Sequence, residues 1–176
     1  MGSRPVGTVT VADTAELWPV YDAVFGDHPS YHAWRAEVWD RHAVREGFRL
    51  ARVRQDGELV GFAYGYTGRH GQWWTDHVAR VLDPAVAEEW LGGHFELVSI
   101  GVLPAARGSG LGGSLLESLT EGLPHERWLL TTTADESDPA RRLYARHRWA
   151  VLGPGIGAGT VVMGRLNAAG GAPATS

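Results

Sequence analysis

Residues 107–113 read Arg-Gly-Ser-Gly-Leu-Gly-Gly, between an apolar strand-like run and an apolar helix-like run. Successive glycine N–H groups at the mouth of a helix make a cradle for an anion, and the missing side chains let a phosphate approach the backbone. Gly108, Gly110 and Gly113 fit the dinucleotide pattern G-x-G-x-x-G, and Asp135 and Glu136 stand about where a ribose-binding acid is needed, ~20 residues on. Against that reading, Leu103 through Arg107 separate the strand from the first glycine, and a hairpin precedes the motif. Too little chain follows to build a second nucleotide-binding half. A Walker loop is excluded, because no Gly-Lys-Ser/Thr closes the run. The chain has no cysteine, so thiolate nucleophiles, thiolate metal sites and disulfides are excluded together.

The elements that position this loop follow from periodicity and punctuation. Residues 6–11, Val-Gly-Thr-Val-Thr-Val, read as a strand. Asp13 then reads as a helix N-cap with Glu16 as its capping-box partner, and the helix runs to about residue 25. A second helix over 29–45 carries Tyr31, Trp34, Val38 and Trp39 on one face. Strands at 48–54 and 59–66 flank Asp56-Gly57, a strong hairpin signal. The long interval 67–93 holds short helical patterns near 75–82 and 84–91. A strand at 95–103, a helix at 110–121 and a strand at 128–133 follow. Asp138 and Pro139 open another helix, which runs to about residue 147. Strands at 149–153 and 159–165 pair as a closing hairpin. The expected fold is mixed α/β, with helices covering the faces of one sheet.

Arg107, Gly108, Ser109, Gly110, Leu111 and Gly112 also spell R-x-x-G-x-G, directly behind Glu-Leu-Val-Ser-Ile-Gly-Val-Leu-Pro-Ala-Ala. This resembles the GNAT acetyltransferase superfamily. A second block, residues 137–153, is similar to that family's N-x-x-A-x-x-L-Y-x-x-x-G-F pattern through Ala140, Leu143, Tyr144 and Trp149. Ser137 replaces the usual Asn, which bears on a pantetheine hydrogen bond. Arg148 replaces the usual Gly, which bears on the turn after the helix. Stretches such as Gly-Phe-Ala-Tyr-Gly-Tyr-Thr-Gly are similar to actinobacterial members.

The resemblance implies a single domain over 1–166, with a mostly antiparallel central sheet splayed where acetyl-CoA binds. It implies that the loop from Arg107 to Gly113 holds the pyrophosphate of coenzyme A, with Ile100, Gly101, Val102, Ser137 and Tyr144 along the pantetheine. Gly101 suits a local bulge that opens the sheet. It implies direct transfer from the thioester to an amine in a ternary complex, and the lack of cysteine agrees. A protonated amine must lose a proton before it attacks, so a base or a water chain is required. In histone acetyltransferases of this family a Glu at the position of Glu96 is that base. Flanking Phe95 and Leu97 would desolvate Glu96 and raise its proton affinity. His94 is the alternative base. It reads as a loop residue one position before the strand and on its other face. The resemblance makes Tyr144 the acid that protonates the departing thiolate, and a strand N–H, that of Val102, the partner of the thioester oxygen. His42 reads as a helix-end residue over backbone carbonyls. Trp73 and Trp74, like Trp90, read either as walls of an acceptor pocket together with Glu96 or as anchors of the 67–93 insertion.

The totals agree with this. A chain of 176 residues with 44% apolar and 20% charged residues suits one core. A formal charge of −4 does not suggest a nucleic-acid or anionic-membrane surface. No run reaches the ~20 apolar residues of a membrane span, and no signal segment opens the chain. A cytoplasmic enzyme without metal is expected, with a disordered tail over 167–176. Acceptor class stays open between a small primary amine, the first reading, and a lysine or N-terminus of a protein. A coenzyme-A-binding sensor without turnover is the reading from another class, and a homodimer is left open.

Overall fold

A computed structural model describes residues 8–168. Its six-stranded sheet has the order β1-β2-β3-β4-β6-β5. Two compact units share it: one runs to Tyr66 and takes in Leu97–Glu121, and the other holds Thr67–Glu96 and the chain from Gly122 onward.

The first unit opens on α1 (Val11–Phe25). The residues described before it form no strand, contrary to the expectation for 6–11, of which 6 and 7 lie outside the described residues. Thr10, not Asp13, is the N-cap. Its hydroxyl accepts from the Asp13 N–H at 3.1 Å, and the Asp13 carboxylate accepts from the Thr10 N–H at 2.8 Å. The alternating valines suggested a strand, but this reciprocal cap starts a helix at the last of them. The second helical stretch comprises α2 (Tyr31–Trp34), a π turn (Arg35–Trp39) and α3 (Asp40–His42). The wider turn brings Trp34 and Trp39 together with ring centroids 5.2 Å apart, both in the core. The Trp39 indole N–H donates to Thr14 Oγ1 at 3.0 Å, tying this stretch to α1.

The strands β1 (Arg49–Gln55) and β2 (Glu58–Thr67) pair antiparallel. Asp56 and Gly57 between them both have positive φ, 50° and 84°, as a two-residue hairpin turn requires. The strand β3 (Phe95–Val102) runs antiparallel to β2, with the Leu103 N–H on the Val60 carbonyl. Helix α6 (Leu111–Thr120) covers one face here: a Cβ at Gly61 would stand 3.2 Å from Leu115. The other face takes α1, so closely that a Cβ at Gly101 would stand 3.0 Å from Val24.

In the second unit the ends of the 67–93 segment, expected from the sequence to be an insertion, are stitched together. The Gly68 N–H donates to the His94 carbonyl at 2.7 Å, and the Gly93 N–H to the Gly68 carbonyl at 2.8 Å. Between them lie α4 (Trp73–Val81) and α5 (Pro84–Trp90). Both pack on β4 (Arg127–Thr133) and β6 (Thr160–Leu166), with Val78, Leu82, Ala87 and Leu91 closing over Leu129 and Val162. The strand β5 (Ala150–Pro154) pairs antiparallel with β6 and ends the sheet. Helix α7 (Pro139–Arg146) starts as expected, with the Asp138 carboxylate accepting from the N–H groups of Ala140 and Arg141. Asn167, expected to begin a loose tail, donates its side-chain amide to the carbonyls of Leu123 and His125. The rest of that tail, 169–176, lies outside the described residues.

Candidate active site

The glycine loop belongs to the first unit. Beyond β3 the chain makes a 3-10 turn (Pro104–Ala106), and the Arg107 side chain folds back, its Nε–H donating to the Val102 carbonyl at 3.0 Å. The Ser109 hydroxyl donates to the Ala106 carbonyl at 3.0 Å. Gly108 and Gly110 have φ of 87° and 80°. A Cβ at either would meet nothing within 4 Å, so backbone conformation is what requires glycine here. Gly110 is the N-cap of α6 and offers no side-chain cap. The first-turn N–H groups, at Leu111, Gly112 and Gly113, therefore await an acceptor from outside the helix, and an anion suits them. A loop of this geometry could hold a phosphate or diphosphate group.

The second unit holds Glu96, Ser137 and Tyr144. The strands β3 and β4 run parallel, yet their ladder consists of Phe95 with Trp128 and Glu96 with Leu129, and no further pairing follows along either strand among the described residues. Glu96 thus occupies the last rung before the strands cease to pair. It is buried, at 4% exposure. Residues level in a parallel pair project to the same face, so Glu96 lies on the face of Leu129, the one covered by α4 and α5.

Tyr144 lies on the opposite face. Its ring packs on Trp149 at 6.1 Å, and Trp149 packs on Trp128, which alternates with Leu129 along β4. Burial, with the Asp138 charge as the smaller cause, pushes the Tyr144 phenol above its ordinary pKa. It stays protonated at neutral pH and can donate. The Ser137 hydroxyl donates to Asp135 Oδ1 at 2.7 Å, and its N–H bonds the same oxygen. These bonds hold the Asp135 carboxyl below its usual pKa. The hydroxyl that replaces the family's Asn is left as an acceptor.

Two histidines differ from the sequence expectation. His94 is not a surface loop residue: it is fully buried, and Nδ1 accepts from the Gly92 N–H at 3.1 Å. It is not on the other face either. The Trp74 ring lies 5.8 Å away while its indole N–H donates to Thr131, two residues beyond Leu129 on β4. His94 therefore shares the face of Glu96. Burial, followed by Arg127, His125 and His70, pushes its pKa down to about 3, so the ring is neutral at neutral pH. His42 does not sit on helix carbonyls through Nδ1, which is 3.0 Å from the Tyr64 hydroxyl. Burial, then Arg45 and Arg41, lowers its pKa to about 4. A neutral imidazole there shares a hydrogen bond with the Tyr64 hydroxyl.

The tryptophans divide. Trp74 and Trp90 pack into the cluster under the insertion. Trp73 is 63% exposed, stacked on His77 one turn along α4 at 4.2 Å. The Tyr64 partner of His42 went unread in the sequence. The burial of His94 had a signal: the glycine at 68 clears the space that its ring fills.

The model of the "Acetyltransferase (GNAT) family" matches residues 14–148, a span that includes the glycine loop, Glu96 and Tyr144. The chain belongs to this family. A GCN5-like protein acetyltransferase of Mycobacterium tuberculosis is 36% identical over 121 residues, 65% of this chain and 57% of that protein. The match thus spans little more than half of the relative's length. An acetyltransferase from Thermus thermophilus superposes with a TM-score of 0.65 at 17% identity, covering 95% of this chain and 98% of that one. The ribosomal-protein-S18-alanine N-acetyltransferase of Escherichia coli gives 0.61 at 15% identity, covering 93% of each. These two likenesses show the fold. Among the described residues no helix is long and apolar enough to cross a membrane, and no group of three or more His, Asp and Glu could hold a metal ion.

Proposed function

We propose that the chain transfers the acetyl group of acetyl-CoA directly to a primary amine of a small molecule, with Glu96 as base and Tyr144 as acid. The observation that carries this is the position of Glu96 on the last rung of the β3–β4 ladder. Acetyl-CoA supplies the acyl group and a thiolate leaving group. The open N–H groups of Leu111, Gly112 and Gly113 hold its pyrophosphate, and the Ser137 hydroxyl accepts from the pantetheine arm. Glu96 takes the proton of the attacking amine, directly or through water. Tyr144 gives its proton to the sulfur as the C–S bond breaks. The two groups lie on opposite faces of the ladder, which keeps proton uptake at nitrogen apart from proton delivery at sulfur. The Val102 N–H serves the carbonyl oxygen as negative charge develops there.

The insertion covers the face of Glu96, which supports a role for 67–93 as a wall of the acceptor site within one catalytic domain over 1–166. A protein acceptor is the second reading, favoured by the printed name of the Mycobacterium relative. A thiol-release assay over small amines and lysine peptides separates them. Turnover with small amines is expected. Turnover with peptides alone transfers the proposal to the second reading, and release with neither leaves a coenzyme-binding module. Acetyl-CoA should raise the melting temperature and NADP should not. Gly110→Ala should weaken acetyl-CoA binding, since φ of 80° is costly for any side chain.

A further inference from the structure

Arg107 stands just ahead of the glycines that open an anion cradle, where a positive charge reads first as a phosphate ligand. The structure gives its side chain another partner. The Arg107 Nε–H reaches back five residues to the Val102 carbonyl at 3.0 Å, across Leu103 and the 3-10 turn Pro104–Ala106. That bond joins the end of β3 to the mouth of the glycine loop.

Peptide geometry defines what the bond holds. The C=O of Val102 and the N–H of Leu103 share one trans peptide plane and point in opposite directions. The Leu103 N–H donates to the Val60 carbonyl on β2 at 2.8 Å. The Val102 carbonyl therefore points away from β2. On that edge, among the described residues, β3 pairs only at Phe95 and Glu96. Val102 is the last residue of β3, and an extended residue turns its N–H and its C=O to the same edge. The carbonyl that Arg107 holds and the N–H proposed to meet the thioester oxygen thus lie side by side on an open edge. No ladder fixes them there.

We propose that Arg107 is a positioning residue for acetyl transfer, acting through Nε on the Val102 peptide and not through its charge on a phosphate. The role rests on the reading of Val102 as donor to the thioester oxygen. An oxyanion donor must be in place before negative charge develops, and a misplacement of about 1 Å costs up to ~10²-fold in rate. Gly108 and Gly110, with φ of 87° and 80°, shape the loop whatever the Arg107 side chain does. Acetyl-CoA therefore still binds when the Val102 peptide is adrift, but reacts slowly. The loss falls on kcat and spares the KM for acetyl-CoA.

The test separates the bond from the charge. The side-chain amide nitrogen of glutamine is a donor and stands as many bonds from the backbone as arginine Nε. Arg107→Gln therefore keeps the bond and removes the charge. Arg107→Lys keeps the charge and puts a methylene where Nε was. Arg107→Met keeps neither. Arg107 is exposed, so all three full-length variants should melt near the parent. In thiol release with acetyl-CoA and a small amine, the Met and Lys variants should lose kcat roughly tenfold at a nearly constant KM for acetyl-CoA. Arg107→Gln should restore kcat to within about threefold of the parent. The Leu103 amide resonance, in the plane of the held carbonyl, should shift in the Met and Lys variants and stay in place in the Gln variant. A KM for acetyl-CoA that rises in Arg107→Gln and recovers in Arg107→Lys makes Arg107 a phosphate ligand and overturns the proposal. Equal kcat in the parent and Arg107→Met overturns it too. A parent that releases no thiol with any amine overturns the kinetic role together with the acetyl-transfer reading. That failure is told apart by the Leu103 amide, which separates the Gln from the Met variant without turnover.

Discussion

The His94 imidazole fills the space that a side chain at residue 68 would need: a Cβ on Gly68 would lie 2.1 Å from His94 Nε2. The same two residues are joined by the backbone bond from the Gly68 N–H to the His94 carbonyl. A buried ring is thus clamped against bare backbone two residues before Glu96.

Gly68→Ala should therefore destabilise the chain by about 1–3 kcal/mol, the usual cost of overpacking. Gly68 lacks the positive φ that would add backbone strain, so the ring is the cause. In a His94→Ala background the same substitution should cost almost nothing. Urea unfolding of the four variants measures the coupling, and strictly additive costs would refute the steric account.

Stability should fall as the solution is acidified below pH 6.5. His94 and His42 have folded pKa values lowered to about 3 and about 4, from an ordinary 6.5. The unfolded chain then binds protons that the folded chain refuses. The two histidines stabilise nothing extra above pH 6.5, and they weaken the fold progressively from there down to their folded values. Unfolding near pH 5 should take up about two protons through these groups. His94→Gln should remove about one of them, and an unaltered pH slope would contradict the burial assigned to His94.

Tyr144→Phe should lower kcat about 10–100-fold, because a thiol is already a fair leaving group, while the KM for acetyl-CoA barely moves. Since burial raises the Tyr144 pKa, the parent should show no loss of activity from its ionisation up to about pH 10. Single-turnover kinetics with unchanged rates in the variant would remove Tyr144 from the chemistry.

The two neighbouring tryptophans of α4 should behave differently. Trp74→Phe loses the bond to Thr131 and should cost about 1 kcal/mol. Trp73→Ala should change stability by less than about 0.5 kcal/mol, being on the surface. If the insertion is an acceptor wall, Trp73→Ala raises the KM for the amine and leaves that for acetyl-CoA alone. Steady-state kinetics with both constants unchanged would make Trp73 a bystander.

What the sequence made legible was local. Asp56-Gly57 specified its hairpin because two consecutive positive φ values tolerate few other pairs. Asp138-Pro139 specified the start of α7 by side-chain capping. Both short helices of the insertion were visible from their own patterns. The strand expected at 6–11 failed because Thr10 caps a helix that alternation cannot foresee. The partner of His42, Tyr64, stands 22 residues away in sequence. Nothing local foretells that bond, nor the π turn that swings Trp39 onto Trp34. Glu96 and Tyr144 were legible as residue types in a motif. Their placement on opposite faces needed the β3–β4 register, which is a property of two strands and not of either alone.

The stitched neck of the insertion carries an implication for how such chains diversify. Thr67–Gly93 leaves and rejoins the sheet across a single pair of hydrogen bonds, between Gly68 and its partners Gly93 and His94. A detour closed at its root can be lengthened, shortened or exchanged with little strain on the strands it joins, since closure entropy grows slowly with length. The segment is in effect a cassette. Its two ends, at Gly68 and His94, are the natural points at which to cut it out or replace it whole.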